Sequence, residues 1–246
     1  MTTTPVFLVE ALPAGDRAVL DGPEGRHAAT VRRLRAGEEL MLCDGRGALA
    51  HCVVESADRR DALDLRLLRR WVEPPPQPRL VLAQALVKGD RGELAVELAT
   101  EAGADVIVPW RAQRSIARWD DGPRGAKALA RWRDTAREAA KQSRRAWVPE
   151  VSEPVTSAGL AELIRTSAAA LVLESSATTR LADTELPTRG DLVVIVGPEG
   201  GTSEAEATLF TTSGAQVVRL GPTVLRASTA GVVAVSAIGV LTQRWR

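Results

Sequence analysis

Short alternating runs of apolar residues occupy the first part of the chain, and turn residues separate them. The runs cover 6–9, 39–43, 48–54 and 63–68. Between the second and third runs, the Asp-Gly-Arg-Gly sequence at 44–47 is a hairpin signal. This pattern predicts a small β-rich domain over residues 1–73.

The proline-rich stretch 74–78 is a stiff linker that neither a helix nor a central strand can contain. Beyond it, apolar runs alternate with helical patterns. The apolar runs lie at 80–87, 106–109, 169–173, 192–196 and 217–220, and the helical patterns at 92–102, 124–145, 160–167, 203–212 and 228–244. This alternation predicts an α/β domain over 79–246, with a mostly parallel sheet covered on both faces.

Two glycine-proline turns follow predicted strands of the second domain. The first, 197–201, reads GPEGG, and Ser203 with Glu206 then forms a capping-box pattern. The second, 220–226, reads LGPTVLR and leads into a helix of small residues. Glycine lets a backbone take positive φ and approach a ligand closely, and such sheets bind ligands at the carboxyl ends of their strands. Because neither turn has the Walker or G-x-G-x-x-G spacing, the residues alone leave a phosphate and a nucleoside as candidate ligands.

Positive charge is concentrated in one segment of a chain whose net charge is only +1. Residues 111–147 carry eleven Lys or Arg against four acids, a local excess of +7. Trp119, Trp132 and Trp147 lie among them, and Trp110 directly precedes them. The segment favours a polyanionic partner, with tryptophan or arginine planes stacking on unpaired bases. The alternative is a solvated helix whose tryptophans pack inward.

Composition narrows the class of protein further. No stretch approaches the roughly 18 apolar residues of a membrane span, and the first five residues lack the features of a signal peptide. Cys43 and Cys52 are the only cysteines, and neither a CxxC nor an HxxxH spacing is present. We therefore expect a cytoplasmic protein without a membrane partner and without a metal site.

Six motifs follow one another in a fixed order through the second domain. They are Lys88-Gly89-Asp90-Arg91, Glu101-Ala102-Gly103, Arg114-Ser115, EAAKQS at 138–143, VGPEGG at 196–201 and the turn 220–226. As a set they resemble the ribosomal RNA small subunit methyltransferase E family of SPOUT methyltransferases, over essentially the whole chain. The first domain fits too, because RHAATVRRLR at 26–35 is similar to that family's His-x-x-x-Val-Leu-Arg motif.

The resemblance implies both a fold and a reaction. The expected fold is an N-terminal PUA-like β-barrel followed by a SPOUT-type parallel-sheet α/β domain with a C-terminal trefoil knot. The expected enzyme is a homodimer that uses S-adenosylmethionine to methylate N3 of one uridine, conventionally U1498, in the 16S rRNA of the small ribosomal subunit.

The family's functional residues carry over to matching positions of this chain. The cofactor set comprises Leu173, Glu174, Gly197, Glu199, Gly200, Gly201, Leu220, Gly221, Leu225, Arg226, Thr229 and Ala230. The RNA-binding set comprises His27, Arg32, Arg33, Lys88, Arg91, Arg114, Gln142 and Arg145.

The substrate's chemistry points to two catalytic residues. Uracil N3 carries a proton, so an enzyme must remove it or stabilise the charge that spreads to O2 and O4. We expect Arg226 to act on those oxygens or on the target phosphate. Glu199 is the candidate base, with a second reading as a carboxylate that shapes the cofactor pocket.

Two departures from the family pattern leave other functions open. Ser228 stands where many members have a glutamate, and Lys141 stands where an acid is common. The alternatives are another SPOUT enzyme, acting on tRNA or on a ribose 2′-hydroxyl, and a non-catalytic RNA-binding factor with the same fold.

Overall fold

The computed structural model describes residues 4–245, which divide into two compact units. The first unit extends to Pro75 and also includes Ala140–Val148, and the second comprises the remainder. The segment 140–148 lies within the predicted second domain by sequence, but its Ala146 packs into a small apolar cluster of the first unit with Val6, Leu8, Cys43 and Leu49.

The first unit contains a five-stranded mixed sheet. Its strands are β1 (Val6–Leu8), β2 (Arg17–Leu20), β3 (Glu39–Cys43), β4 (Ala48–Ser56) and β5 (Leu63–Val72), in the order β1-β3-β4-β5-β2. The β1–β3 pair is parallel and the others are antiparallel. As predicted, β3 and β4 form a hairpin, and the Asp44 carboxylate accepts hydrogen bonds from the backbone of Arg46 and Ala48 at 2.7 and 3.0 Å.

One short helical segment crosses from β2 to β3. Helix α1 (Gly22–Arg26) continues into a single π-helical turn, His27–Val31. Ala28 on this segment is fully buried in the main core of the unit, together with Leu40 and Leu63. The adjoining His27 is therefore held at a defined position beside the sheet.

The second unit is built on a parallel seven-stranded sheet, as the sequence predicts. Its strands are β6 (Arg79–Ala85), β7 (Val106–Arg111), β8 (Glu150–Val151), β9 (Val155–Thr156), β10 (Ala169–Leu173), β11 (Asp191–Val196) and β12 (Gln216–Val218). Their order is β12-β10-β11-β6-β7-β8, with β9 also paired to β7. The last strands thus place the carboxyl ends of β12, β10 and β11 side by side.

Helices cover both faces of this sheet. They are α2 (Arg91–Ala102), α3 (Pro123–Gln142), α4 (Ser157–Thr166), α5 (Glu204–Thr212) and α6 (Ala227–Leu241). Leu192, Val194 and Val196 of β11 join a core with α2, α3 and α6, whereas Val193 and Ile195 join one with α4 and α5. Because side chains alternate along a strand, a continuous apolar run was needed to fill both layers.

The basic segment differs from the sequence expectation in two ways. Helix α3 ends at Gln142 instead of 145, because the chain turns at Arg144, whose φ is 58°. Trp110 and Trp132 are 0% and 2% exposed, and Trp119 packs edge-on against Trp132 at 4.9 Å. The idea that Trp110 and Trp132 stack on bases is therefore wrong, since both fill the core.

Candidate active site

A cavity of about 390 Å³ opens at the carboxyl ends of β10, β11 and β12. Three loops surround it: 173–175 after β10, 196–202 after β11 and 220–227 after β12. This volume lies in the range of small-molecule sites, roughly 300–1,000 Å³. The turns 197–201 and 220–226, separate in sequence, thus form walls of one cavity.

The glycines of the turn 197–201 have separate physical roles. The Gly201 N–H donates to the Pro198 carbonyl at 2.9 Å, and Gly201 has a φ of +72° that L side chains rarely adopt. A Cβ on Gly197 would lie 3.0 Å from the Thr202 hydroxyl oxygen and 3.3 Å from the Thr202 nitrogen. The tight turn therefore requires glycine at both positions.

Charges of both signs line the cavity. Arg91 and Arg226 contribute guanidinium groups, and Glu174 and Glu199 contribute carboxylates. Arg91 Nη1 lies 3.9 Å from Glu199 Oε1, and the two side chains are 49% and 34% exposed. The two groups form a long, solvent-exposed ion pair. Either side chain could therefore contact a ligand instead.

Glu206 anchors the wall that carries the turn 197–201. Its buried carboxylate accepts hydrogen bonds from the Gln113 N–H and the Ser157 hydroxyl, both at 2.7 Å, and from the N–H and hydroxyl of Ser203 at 3.1 and 2.9 Å. The Ser203 hydroxyl accepts in turn from the Glu206 N–H, which completes the predicted capping box at the start of α5. Burial by itself raises the pKa of Glu206, but the hydrogen bonds from Ser157, Gln113 and Ser203 outweigh it and hold the pKa below its usual value.

Arg114 reinforces the same wall from outside. Its Nη1 donates to the carbonyls of Gly200 and Thr202 at 3.2 and 3.4 Å. Its Cβ would lie 3.4 Å from a Cβ on Gly200, so the two backbones are in close contact. Arg114 was predicted to bind RNA, and the structure places it against the turn 197–201.

Ten of the twelve predicted cofactor residues line the cavity. They are Leu173, Glu174, Gly197, Glu199, Gly201, Leu220, Gly221, Leu225, Arg226 and Ala230. The other two lie beside it: Gly200 faces Arg114, and the Thr229 hydroxyl donates to the Arg226 carbonyl at 3.2 Å.

The predicted RNA-binding residues are dispersed. His27, Arg32 and Gln142 line a smaller pocket of the first unit, and Arg33 is exposed with a φ of 55°. Lys88 is exposed beyond the end of β6, and Arg145 is half-buried. Arg91 lies in the cavity.

Each departure from the family pattern now has a structural setting. Ser228 is buried near the start of α6 and is absent from the cavity lining, where Ala227 and Ala230 stand. Lys141 is 6% exposed, and its ammonium donates to both carboxylate oxygens of Glu24 at 2.9 and 2.7 Å. The basic residue at 141 is therefore neutralised locally by an acid from α1.

The predicted cofactor set omits some residues that line the cavity, and Thr202 and Arg91 are two polar examples. Thr202 lines it although it was considered only as a helix cap, and its buried hydroxyl oxygen has no hydrogen-bond partner among the described residues. Its position directly after the turn was a usable signal. Arg91 was assigned to RNA, and no local pattern indicates that the start of α2 lies beside the end of β11.

Neither a metal site nor a membrane span is found in residues 4–245. No group of three His, Cys, Asp or Glu side chains there could hold a metal ion. None of the helices in that range is long and apolar enough to cross a membrane.

Family comparisons cover both units. Residues 73–239 match the family described as RNA methyltransferase domain, and residues 20–68 match the RNA methyltransferase PUA domain. The chain is 52% identical over 245 residues to the ribosomal RNA small subunit methyltransferase E of Mycobacterium tuberculosis, an alignment that covers 98% of this chain and 93% of the relative.

Two solved structures have the same fold as this chain over nearly its full length. The ribosomal RNA small subunit methyltransferase E of Neisseria gonorrhoeae, bound to S-adenosylmethionine, aligns with a TM-score of 0.83 and 26% identity over 98% of each chain. The Legionella pneumophila protein Lpg2936, in complex with the same cofactor, aligns with a TM-score of 0.85 and 26% identity over 98% of this chain and 99% of that one. The predicted order, a PUA-like domain followed by a parallel-sheet α/β domain of the SPOUT type, is confirmed.

Proposed function

Because the chain belongs to the ribosomal RNA small subunit methyltransferase E family, and is thus an S-adenosylmethionine-dependent rRNA methyltransferase, we propose that it methylates N3 of one uridine, U1498 in conventional numbering, in 16S rRNA. The observation that carries the proposal is the convergence of three loops on one cavity. N3 methylation needs a site that holds a cofactor and can stabilise charge on a uracil ring, and this cavity has residues for both.

The volume and the lining residues of the cavity suit the cofactor. Glycine at 197 and 201 brings the backbone close to the ligand, while Gly221 has open space where a side chain would stand. The Glu174 carboxylate and the unpartnered Thr202 hydroxyl provide polar groups for the hydroxyl and amino groups of the cofactor. When bound, the cofactor supplies an electrophilic methyl group on a sulfonium centre.

The remaining charged residues of the cavity would act on the uridine. Arg226, exposed at the end of the third loop, would donate to O2 or O4 as negative charge develops there. The Arg91 guanidinium lies 3.9 Å from the Glu199 carboxylate, an arrangement that would hold the carboxylate beside the cavity. Glu199 would then accept the N3 proton directly or through water, and its second role, shaping the pocket, needs no proton transfer.

RNA binding and assembly complete the proposal. The proposed RNA contacts are His27, Arg32, Arg33, Lys88, Arg114, Gln142 and Arg145, and an rRNA substrate supports a cytoplasmic location. Three apolar residues of α6 are exposed and support a homodimer. Val233 is 41% exposed, Val240 65% and Leu241 46%. The trefoil knot and the division at 74–78 remain predictions.

Primer extension on 16S rRNA tests the proposed position. An N3-methyl group blocks Watson–Crick pairing, so reverse transcriptase should stop beside the modified uridine in RNA from wild-type cells. The stop should vanish in a strain that lacks this protein and return on complementation. A stop that persists in the deletion strain would rule out the proposed position.

A further inference from the structure

A second pocket, of about 140 Å³, lies entirely within the first unit. Three segments far apart in sequence form its wall: residues 5–7, the π-helical turn with the Arg32 that follows it, and the end of α3 with Arg144. It is lined by Pro5, Val6, Phe7, His27, Arg32, Lys141, Gln142 and Arg144. The cofactor cavity does not account for this pocket, since the two share no residue.

The pocket carries a surplus of positive charge. Arg32, Lys141 and Arg144 contribute three cations, and Glu24, which pairs with Lys141, contributes one anion. Arg32 and Arg144 are exposed, and neither forms a salt bridge with another residue of the described chain. Two guanidinium groups are thus available to an anion that enters.

The Lys141–Glu24 pair also fixes the orientation of His27. The Lys141 ammonium lies 3.5 Å from His27 Nδ1 and 5.5 Å from the centre of the Phe7 ring. Because an ammonium has hydrogens to donate and no lone pair, Nδ1 is the acceptor in this contact.

Arg144 occupies a position where glycine is the preferred residue. It follows the end of α3 with a φ of 58°, and the Arg145 N–H bonds back to the Ala140 carbonyl at 2.9 Å. Glycine is common at this point because a side chain disfavours the left-handed conformation. The left-handed conformation of Arg144 costs stability, and its side chain lines a cationic pocket. This combination indicates that the arginine is kept for a function.

We propose that this pocket binds one phosphodiester group of the substrate RNA, with Arg32 and Arg144 as its charged contacts and the Lys141–Glu24 pair as the positioning element. The inference rests on the proposed function for its substrate class, RNA. It deepens that function because it adds Arg144 and the Lys141–Glu24 pair to the proposed RNA contacts and names a phosphodiester as the group bound.

The test compares RNA affinity with fold stability in Arg144→Gly, Arg32→Ala and the control Arg60→Ala. Arg60 is an exposed cation of the same unit that does not line the pocket. Affinity is measured by fluorescence anisotropy with a labelled 16S rRNA fragment across a salt series, S-adenosylmethionine affinity by calorimetry, and Tm by differential scanning fluorimetry. We expect Arg144→Gly and Arg32→Ala each to weaken RNA binding about fivefold to tenfold and to reduce the salt slope by about one.

The Tm of each variant distinguishes the loss of an RNA contact from a defect in folding. Arg144→Gly should leave Tm unchanged or raise it by roughly 2–4 °C, with S-adenosylmethionine affinity unaffected and Arg60→Ala binding RNA within twofold of wild type. If Arg144→Gly binds RNA as tightly as Arg60→Ala, the proposal is overturned, whether or not Arg32→Ala folds. Fluorescence anisotropy measures RNA binding at this pocket, whereas primer extension detects the methylated uridine. The pocket proposal and the proposed methylation position can therefore fail independently of each other.

Discussion

Replacing Glu206 with glutamine tests how firmly the cofactor cavity's wall is anchored. Each carboxylate oxygen accepts two hydrogen bonds, Oε1 from Gln113 and Ser157 and Oε2 from Ser203. An amide nitrogen cannot accept a hydrogen bond, so the two bonds to the oxygen that it replaces are lost. The two groups that donated those bonds then face the amide NH₂, which is itself a donor. At about 1.5–3 kcal/mol per bond to a charged acceptor, the loss is about 3–6 kcal/mol, which relief of the buried charge reduces to about 2–4 kcal/mol.

Calorimetric and denaturant unfolding measure that loss. We expect Glu206→Gln to lower Tm by on the order of 10 °C and to weaken S-adenosylmethionine binding, since Ser203 directly follows the loop 196–202. Glu204→Gln is the matched control, because Glu204 is exposed in the same first turn of α5 and loses only about 0.3–1 kcal/mol of helix-dipole stabilisation. Equal stability of the two variants would refute the reasoning.

The same carboxylate predicts a pH dependence. Its pKa is lowered in the folded protein because hydrogen bonds outweigh the opposing effect of burial. Its contribution to stability is therefore present above the unfolded pKa, roughly 4.3, and is lost as pH falls through the folded value. The stability gap between wild type and Glu206→Gln should hold from pH 5 to 7 and shrink below about pH 4. A stability gap that widens toward acid pH would mean that the direction of the Glu206 pKa shift is wrong.

Three further substitutions test other parts of the molecule. Gly197→Ala should weaken S-adenosylmethionine binding about tenfold by calorimetry, because its Cβ would lie 3.0 Å from the Thr202 oxygen; unchanged affinity would show that the turn adapts freely. Arg226→Ala should lower kcat about 100-fold or more in a methyl-transfer assay, with a much smaller change in cofactor affinity; equal losses would assign Arg226 to cofactor binding alone. Lys141→Met should destabilise the first unit by about 3–5 kcal/mol in denaturant unfolding, and adding Glu24→Leu should recover most of it; additive losses would exclude the pair.

Several parts of the site followed from sequence because they depend on local rules. The turns 197–201 and 220–226 each end an apolar run, and parallel strands bring their carboxyl ends to one edge of the sheet. The capping box of Ser203 and Glu206 is likewise a local pattern. These rules, together with the family resemblance, placed ten of the predicted residues around one cavity.

Other parts depend on contacts between distant segments and carry no local signal. Arg91 lies in the cavity because α2 begins beside the loop after β11, and Lys141 is neutralised by a carboxylate 117 positions away. Segment 140–148 belongs to the first unit for the same reason. The inward packing of Trp132 was available from sequence, since Leu129, Trp132 and Ala136 recur at helical spacing and all are buried.

Nucleoside analysis of 16S rRNA tests the central claim most directly. Small subunits from a deletion strain would be incubated with methyl-labelled S-adenosylmethionine and the purified protein, and their rRNA digested and analysed by mass spectrometry. The account predicts one labelled 3-methyluridine per 16S rRNA with the wild-type protein and a large loss with Arg226→Ala. Label in a 2′-O-methylated nucleoside, or no label in 16S rRNA, would contradict it.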